Sequence, residues 1–148
     1  MVQYRNLFWM VVISFVAMYA LMYMMVNEYA NVYSNLNQFY MAGLMTIPML
    51  IIELVLMRSM YMNQRLNVLI VGFSLLTLAG LVILIRQQVA ISDREFLKSM
   101  IPHHASALLM CQRAALQDPG VKQLCKSIMA SQQKEIDYMR AKLETIKR

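Results

Sequence analysis

Three long apolar runs, followed by a change of period, organise this chain. Residues 7–26 contain no charge, 39–57 form a second run interrupted by Pro48 and Glu53, and 66–85 form a third whose polar side chains are Asn67, Ser74 and Thr77. Each is long enough to cross a hydrocarbon core of ~30 Å as a helix. Beyond about residue 88 the continuous apolarity gives way to recurrence at three and four. Phe96, Leu97, Met100, Ile101, His104, Leu108, Cys111 and Ala115 trace one stripe; Val121, Leu124, Ile128, Gln132, Ile136, Met139, Leu143 and Ile146 trace another. Two amphipathic helices follow from that period.

Their ends are also legible. Ser92 with Glu95 three residues on reads as a capping box, starting a helix at 93–117. Asp118 as N-cap and Pro119 at the first helical position start the next, over 119–147. Pro102 inside the first helix removes a backbone hydrogen bond and predicts a kink just before His103 and His104. The expected fold is all-α: a membrane domain, 1–88, with three spans, then a helical hairpin domain, 92–148.

Composition sharpens the division. The chain is 59% hydrophobic and 15% charged, too apolar for a soluble domain of 148 residues. Of its 14 Lys and Arg, 11 lie from Arg86 onward, and so do 6 of its 8 Asp and Glu. These basic and acidic residues alternate, as on a solvated helix face, so the net charge of +6 does not indicate nucleic acid. Within the membrane part, Arg5, Arg58 and Arg65 fall on one side, and the polar loop 27–38 on the other carries no Lys or Arg. The positive-inside rule then places the N-terminus in the cytoplasm and, after three spans, the charged tail outside it. For a bacterial inner membrane that is the periplasm. The uncharged run is too long for a secretory h-region, and 27–31 offers no good cleavage site, so a retained anchor is expected.

Chemistry enters with the side chains. Met41, Met45, Met49, Glu53 and Met57 recur every four residues. Each step overshoots a turn by about 40°, so the row drifts around the helix and reads as bilayer-filling methionine. Glu53 is costly in lipid and is a site candidate for that reason, with pairing to Arg58 or Arg65 expected ahead of ion transport. Gly72 and Gly80, eight apart, are places where another helix could approach.

The tail holds the two histidines of the chain, His103 and His104. Folding it about Asp118–Pro119 sets Cys111 near Cys125, Met110 near Met129, and Met100 with His103 near residues 133–139. Spacings of three and seven put Met100, His103 and Met110 on one face of the first helix. Imidazole and thioether together suit copper, above all Cu(I), better than zinc, and the Glu-x-x-His pattern of a di-iron site is missing. The chemistry alone leaves a second reading open, in which Met and His pack a core. The cysteines also have two readings: a disulfide across the hairpin in an oxidising compartment, or reduced thiols that add soft ligands. Neither has a base beside it, so no catalytic nucleophile is expected.

The stretches DREFLKSMIPHHASALLM and DPGVKQLCKSIMASQQKEIDYM resemble the bacterial family known as domain of unknown function three-hundred-and-five, over about residues 92–145. The resemblance implies a ferritin-like helical bundle, and some relatives are periplasmic copper-binding proteins that use Met and His. Carried over by position, it implies metal ligands at Met100, His103, His104, Met110 and Met139, with Glu135 structural or behind a ligand. Longer members contain two such hairpins and this chain one, so the resemblance implies a homo-oligomer in which a second copy supplies the other half. Cys111, Cys125 and Met129 are further candidate ligands, any role of the two cysteines being particular to this chain.

The expected function is therefore a non-enzymatic inner-membrane protein that binds or buffers Cu(I), in contact with membrane lipid and with its own copies. The competing expectations are an assembly protein whose hairpin oligomerises without metal, and a small channel or transporter lined by Glu53.

Overall fold

The computed structural model describes residues 2–146, and no strand occurs among them. Five α-helices follow in order: α1 (Val2–Leu21), α2 (Leu36–Leu56), α3 (Gln64–Arg86), α4 (Asp93–Arg113) and α5 (Pro119–Thr145). Short 3-10 turns occupy Met22–Met25 and Tyr29–Asn31. Met1, and Lys147 and Arg148 at the end of the expected last helix, lie outside the described residues. The chain forms two compact units, one of residues 2–22 with 37–90, the other of Tyr23–Leu36 with the chain from Ile91 onward.

In the first unit, three helical stretches, Val2–Met25, Leu36–Leu56 and Gln64–Arg86, are long and apolar enough to cross a membrane. Much of their large apolar surface faces outward, as at Phe8, Ile13, Leu69, Phe73 and Leu76. Leu7, Leu54 and Tyr61 form a small buried cluster at one end. Around it Tyr4 donates to Asn67 at 2.8 Å, and Asn67 donates to the Tyr61 carbonyl at 2.7 Å. Glu53 accepts from the Tyr61 hydroxyl at 3.4 Å rather than pairing with Arg58 or Arg65. Both arginines stay exposed and hydrated, so the nearby phenol is the cheaper partner for a half-buried carboxylate. Burial pushes the Tyr61 phenol above its ordinary value, and the Glu53 carboxylate adds to that.

The close helix approach also falls elsewhere than the sequence suggests. A Cβ at Gly72 or Gly80 would meet nothing within 4 Å, whereas one at Gly43 would stand 3.0 Å from Leu81 Cδ1. Helix α2 continues through Pro48, as α4 does through Pro102. After α3 the backbone turns through positive φ at Gln88 and Ala90. The turn is tied by a reciprocal amide pair between Gln88 and Asn37, each bond 3.1 Å.

In the second unit, α4 and α5 run antiparallel over a core of Leu97, Ile101, Ala105 and Leu108 against Ile136, Met139 and Leu143. Helix α4 stops at Arg113, earlier than its alanines indicate. Ala114 and Asp118 are extended at the two ends of the connection, a tight turn from Ala114 to Leu116 lies between them, and Asp118, as the residue preceding proline, disfavours helix. Asp118 then caps α5 by accepting from the Val121 N–H at 2.8 Å.

Tyr23–Leu36 is more than a connection. Val26 and Tyr33 pack on the α4–α5 core, and Asn31 is buried with its amide donating to Asn27. Asn35 donates to the Tyr33 and Lys98 carbonyls. The capping box is half realised. Ser92 Oγ accepts from the Glu95 N–H at 3.4 Å, but the Glu95 carboxylate turns to Lys98 Nζ at 2.7 Å and the Leu36 N–H at 3.0 Å.

Candidate functional site around His103 and His104

Adjacent residues on a helix point about 100° apart, and this separates the two histidines. His104 faces α5 and is buried; His103 is exposed, its ring centre 5.9 Å from that of His104. The Nδ1 of His104 lies 2.8 Å from the Met100 carbonyl, one turn back, and its Nε2 lies 2.7 Å from Glu135 Oε2 on α5. Both ring nitrogens are thus engaged, one by a main-chain carbonyl and the other by a carboxylate. Glu135 is half exposed, so water also reaches the carboxylate.

The methionines divide in the same way. Met139 is a core residue, and Met100 and Met129 are half buried against the core. Met110, seven residues from His103 and so on its face, is 52% exposed. Cys111 and Cys125 are joined by a disulfide across α4 and α5, with Cα atoms 5.4 Å apart. In this state neither offers a thiolate, and the reading of reduced cysteines as soft ligands is not the one the structure adopts.

The structure therefore brings together His104, Met100 and Glu135, and separately the cystine with Met129, which line-up at the turn end of the pair. It leaves His103 and Met110 at the surface. Among the described residues, no group of three or more His, Cys, Asp and Glu side chains is placed to hold a metal ion.

Sequence reasoning missed a second cluster. Arg94 on α4 donates to the Leu143 and Ile146 carbonyls near the end of α5, and Arg140 lies in the same region with Tyr33. The available signal was in the loop: Asn27, Asn31 and Asn35 recur every four residues, an ordered spacing for a supposedly free segment. Glu95 belongs to this neighbourhood. Its part-burial alone would raise the carboxyl, but the Lys98 ammonium and the Leu36 N–H outweigh it and hold it below the ordinary carboxylate value.

Comparison with known proteins adds kinship. The family described as a domain of unknown function, DUF305, matches residues 76–143, from within α3 through most of α5. An uncharacterized protein, L153, of Acanthamoeba polyphaga mimivirus is 36% identical over 138 residues, covering 91% of this chain and 89% of its own length. No solved structure is significantly similar.

Proposed function

The chain belongs to the DUF305 family, and we propose that it is a membrane-anchored, non-enzymatic protein that binds or buffers copper as Cu(I). The observation that carries this reading is the placement of His103 and Met110. An imidazole and a thioether share one face of α4 and stand at the surface, while Leu97, Ile101, Ala105 and Leu108 of the same helix are in the core. Met100 lies on the edge of that face. Imidazole with thioether is a donor set that favours Cu(I) over harder ions. Two or three donors make an open, weak site, which suits exchange of a metal cargo rather than its permanent retention.

A second copy completes the site in this proposal. Two α4–α5 hairpins, each presenting its uncovered side to the other, make a ferritin-like four-helix bundle in which the donors are doubled. The bundle lies on the periplasmic side of a bacterial inner membrane, with the N-terminus in the cytoplasm. Two features support that orientation, and a third supports the number of crossings. Arg5, Arg58 and Arg65 flank the spans on one side. Tyr23–Leu36 shares a unit with the tail, as it must after an odd number of spans. The Cys111–Cys125 disulfide suits an oxidising compartment.

The direct test is an anaerobic Cu(I) competition titration of the full-length protein and of His103→Ala. His103 is exposed, so its removal leaves the fold intact, and at least a tenfold loss of affinity is expected for a lost direct ligand. Equal affinities would remove His103 from the site.

One observation favours the assembly reading instead: both nitrogens of His104 are engaged and Met139 is core. On that reading the pair only mediates oligomerisation, and added Cu(I) leaves the unfolding temperature unchanged.

A further inference from the structure

On the side of α4–α5 where Tyr23–Leu36 packs, a groove of about 650 Å³ opens between the two helices and this segment. Three cations line it: Arg94, Lys98 and Arg140. Lys98 is matched by Glu95. Arg94 is held in place by two neutral carbonyls, and the Glu95 carboxylate acts on it without forming an ion pair. Arg140 Nη2 is closed off from solvent and meets no hydrogen-bond acceptor. A buried guanidinium N–H without an acceptor is unfavourable, and more so for a charged group than for a neutral one. Glu144, the acid on the groove wall, forms no ion pair with any of the three among the described residues. Three cations against two carboxylates, Glu95 and Glu144, leave this region with a net positive charge.

The rest of the wall is apolar: Ala30, Tyr33, Leu143 and Ile146. A cationic floor beside an apolar wall matches an amphiphile better than a small free anion, which has no use for the apolar half. One wall of the groove, Ala30 and Tyr33, belongs to the segment that joins the membrane-crossing helices α1 and α2, so the chain itself keeps the groove within reach of the membrane surface.

We propose that this groove binds the phosphate of an anionic phospholipid headgroup, with Arg140 as the principal donor and Arg94 and Lys98 completing the cationic floor. Arginine's planar fork gives two parallel bonds to phosphate oxygens, which suits a guanidinium lining the groove that no carboxylate among the described residues pairs with. The bound lipid fastens the α4–α5 unit to the membrane surface. The proposal does not depend on metal binding; it rests on α1–α3 spanning the membrane.

The test uses the full chain in mixed micelles, with lipid retention read by native mass spectrometry and stability by thermal unfolding at fixed ionic strength. Phosphatidylglycerol raises the unfolding temperature and is retained, whereas phosphatidylcholine does neither. Arg140→Gln weakens apparent phosphatidylglycerol affinity about tenfold, and Lys126→Gln, at the turn end of the pair, leaves it unchanged. Should Arg140→Gln lose wild-type helix content, Lys98→Gln carries the same expectation. Equal effects of the two lipids on the wild-type protein overturn the proposal. So does an equal rise with inorganic phosphate at matched concentration, which assigns the groove to a free anion, or unchanged affinity in folded Arg140→Gln. Release of the protein from membranes by alkaline carbonate would instead overturn the spanning helices, a separate failure.

Discussion

At the scale of single residues, side chains singled out by the sequence change role according to who faces them. His104 has the same type and nearly the same position as His103, yet its ring is committed to Met100 and Glu135. Glu135→Ala therefore leaves a buried ring N–H with only water to serve it. We expect a loss of about 1–2 kcal/mol in denaturant unfolding, at the low end for a charged contact because Glu135 is half exposed. His103→Ala is expected to cost less than about 0.5 kcal/mol, as exposed substitutions do. Comparable losses in both variants would contradict the division between the two rings. Glu95 carries a pH dependence. Its carboxyl is lowered on folding below 4.5, so its contribution is fully present above that value and is lost as pH falls through the folded value. The unfolding midpoint should therefore drop below pH 4.5, and Glu95→Gln should flatten that drop. Parallel profiles for the two proteins would exclude Glu95 as the source.

At the scale of elements, α4 and α5 hold together by an apolar seam, a cystine near the turn, and a histidine–carboxylate contact midway. The cystine closes a loop of 14 in sequence separation. Constraint of the unfolded chain over a loop of that size is worth roughly 3 kcal/mol. Reduction, or Cys111→Ser with Cys125→Ser, should lower the stability of the α4–α5 unit by about that amount while helicity of α1–α3 persists. An unchanged unfolding midpoint under reductant would mean that the seam alone specifies the pair. The seam was legible from the recurrence of Leu97, Ile101 and Leu108 against Ile136, Met139 and Leu143, because burial of one helix face imposes that period. The end of α4 at Arg113 was not, because Ala114 and Ala115 are good helix formers. Only the path needed to reach Asp118 stops the helix there.

At the scale of the whole molecule, a segment that reads as a loop decides which parts of the chain share a unit. Tyr23–Leu36 carries no regular apolar stripe, and nevertheless contributes Val26, Tyr33 and Asn35 to the unit built on α4 and α5. Both parts must then lie on one side of a membrane. Single cysteines at exposed Tyr29 and Tyr138, in a Cys111→Ser, Cys125→Ser background, should be labelled by an impermeant maleimide from the same face. One at exposed Met62, between α2 and α3, should be labelled from the opposite face. Labelling of all three from one side would rule out three crossings.

What the amino-acid sequence determined by itself is what hydrophobic period and local chemistry dictate. Three apolar runs must be helices in lipid because no water is there to satisfy their backbone. Two amphipathic stripes must find each other, and Asp118–Pro119 must turn between them. What the tertiary structure decided depends on neighbours that no local window contains. It set His104 against Glu135 and left His103 outside, closed the two cysteines into a cystine, gave Glu53 to Tyr61, and gathered Arg94, Lys98 and Arg140 around one groove. Spacing along a helix tells which residues share a face; only packing tells which face is covered, and by what.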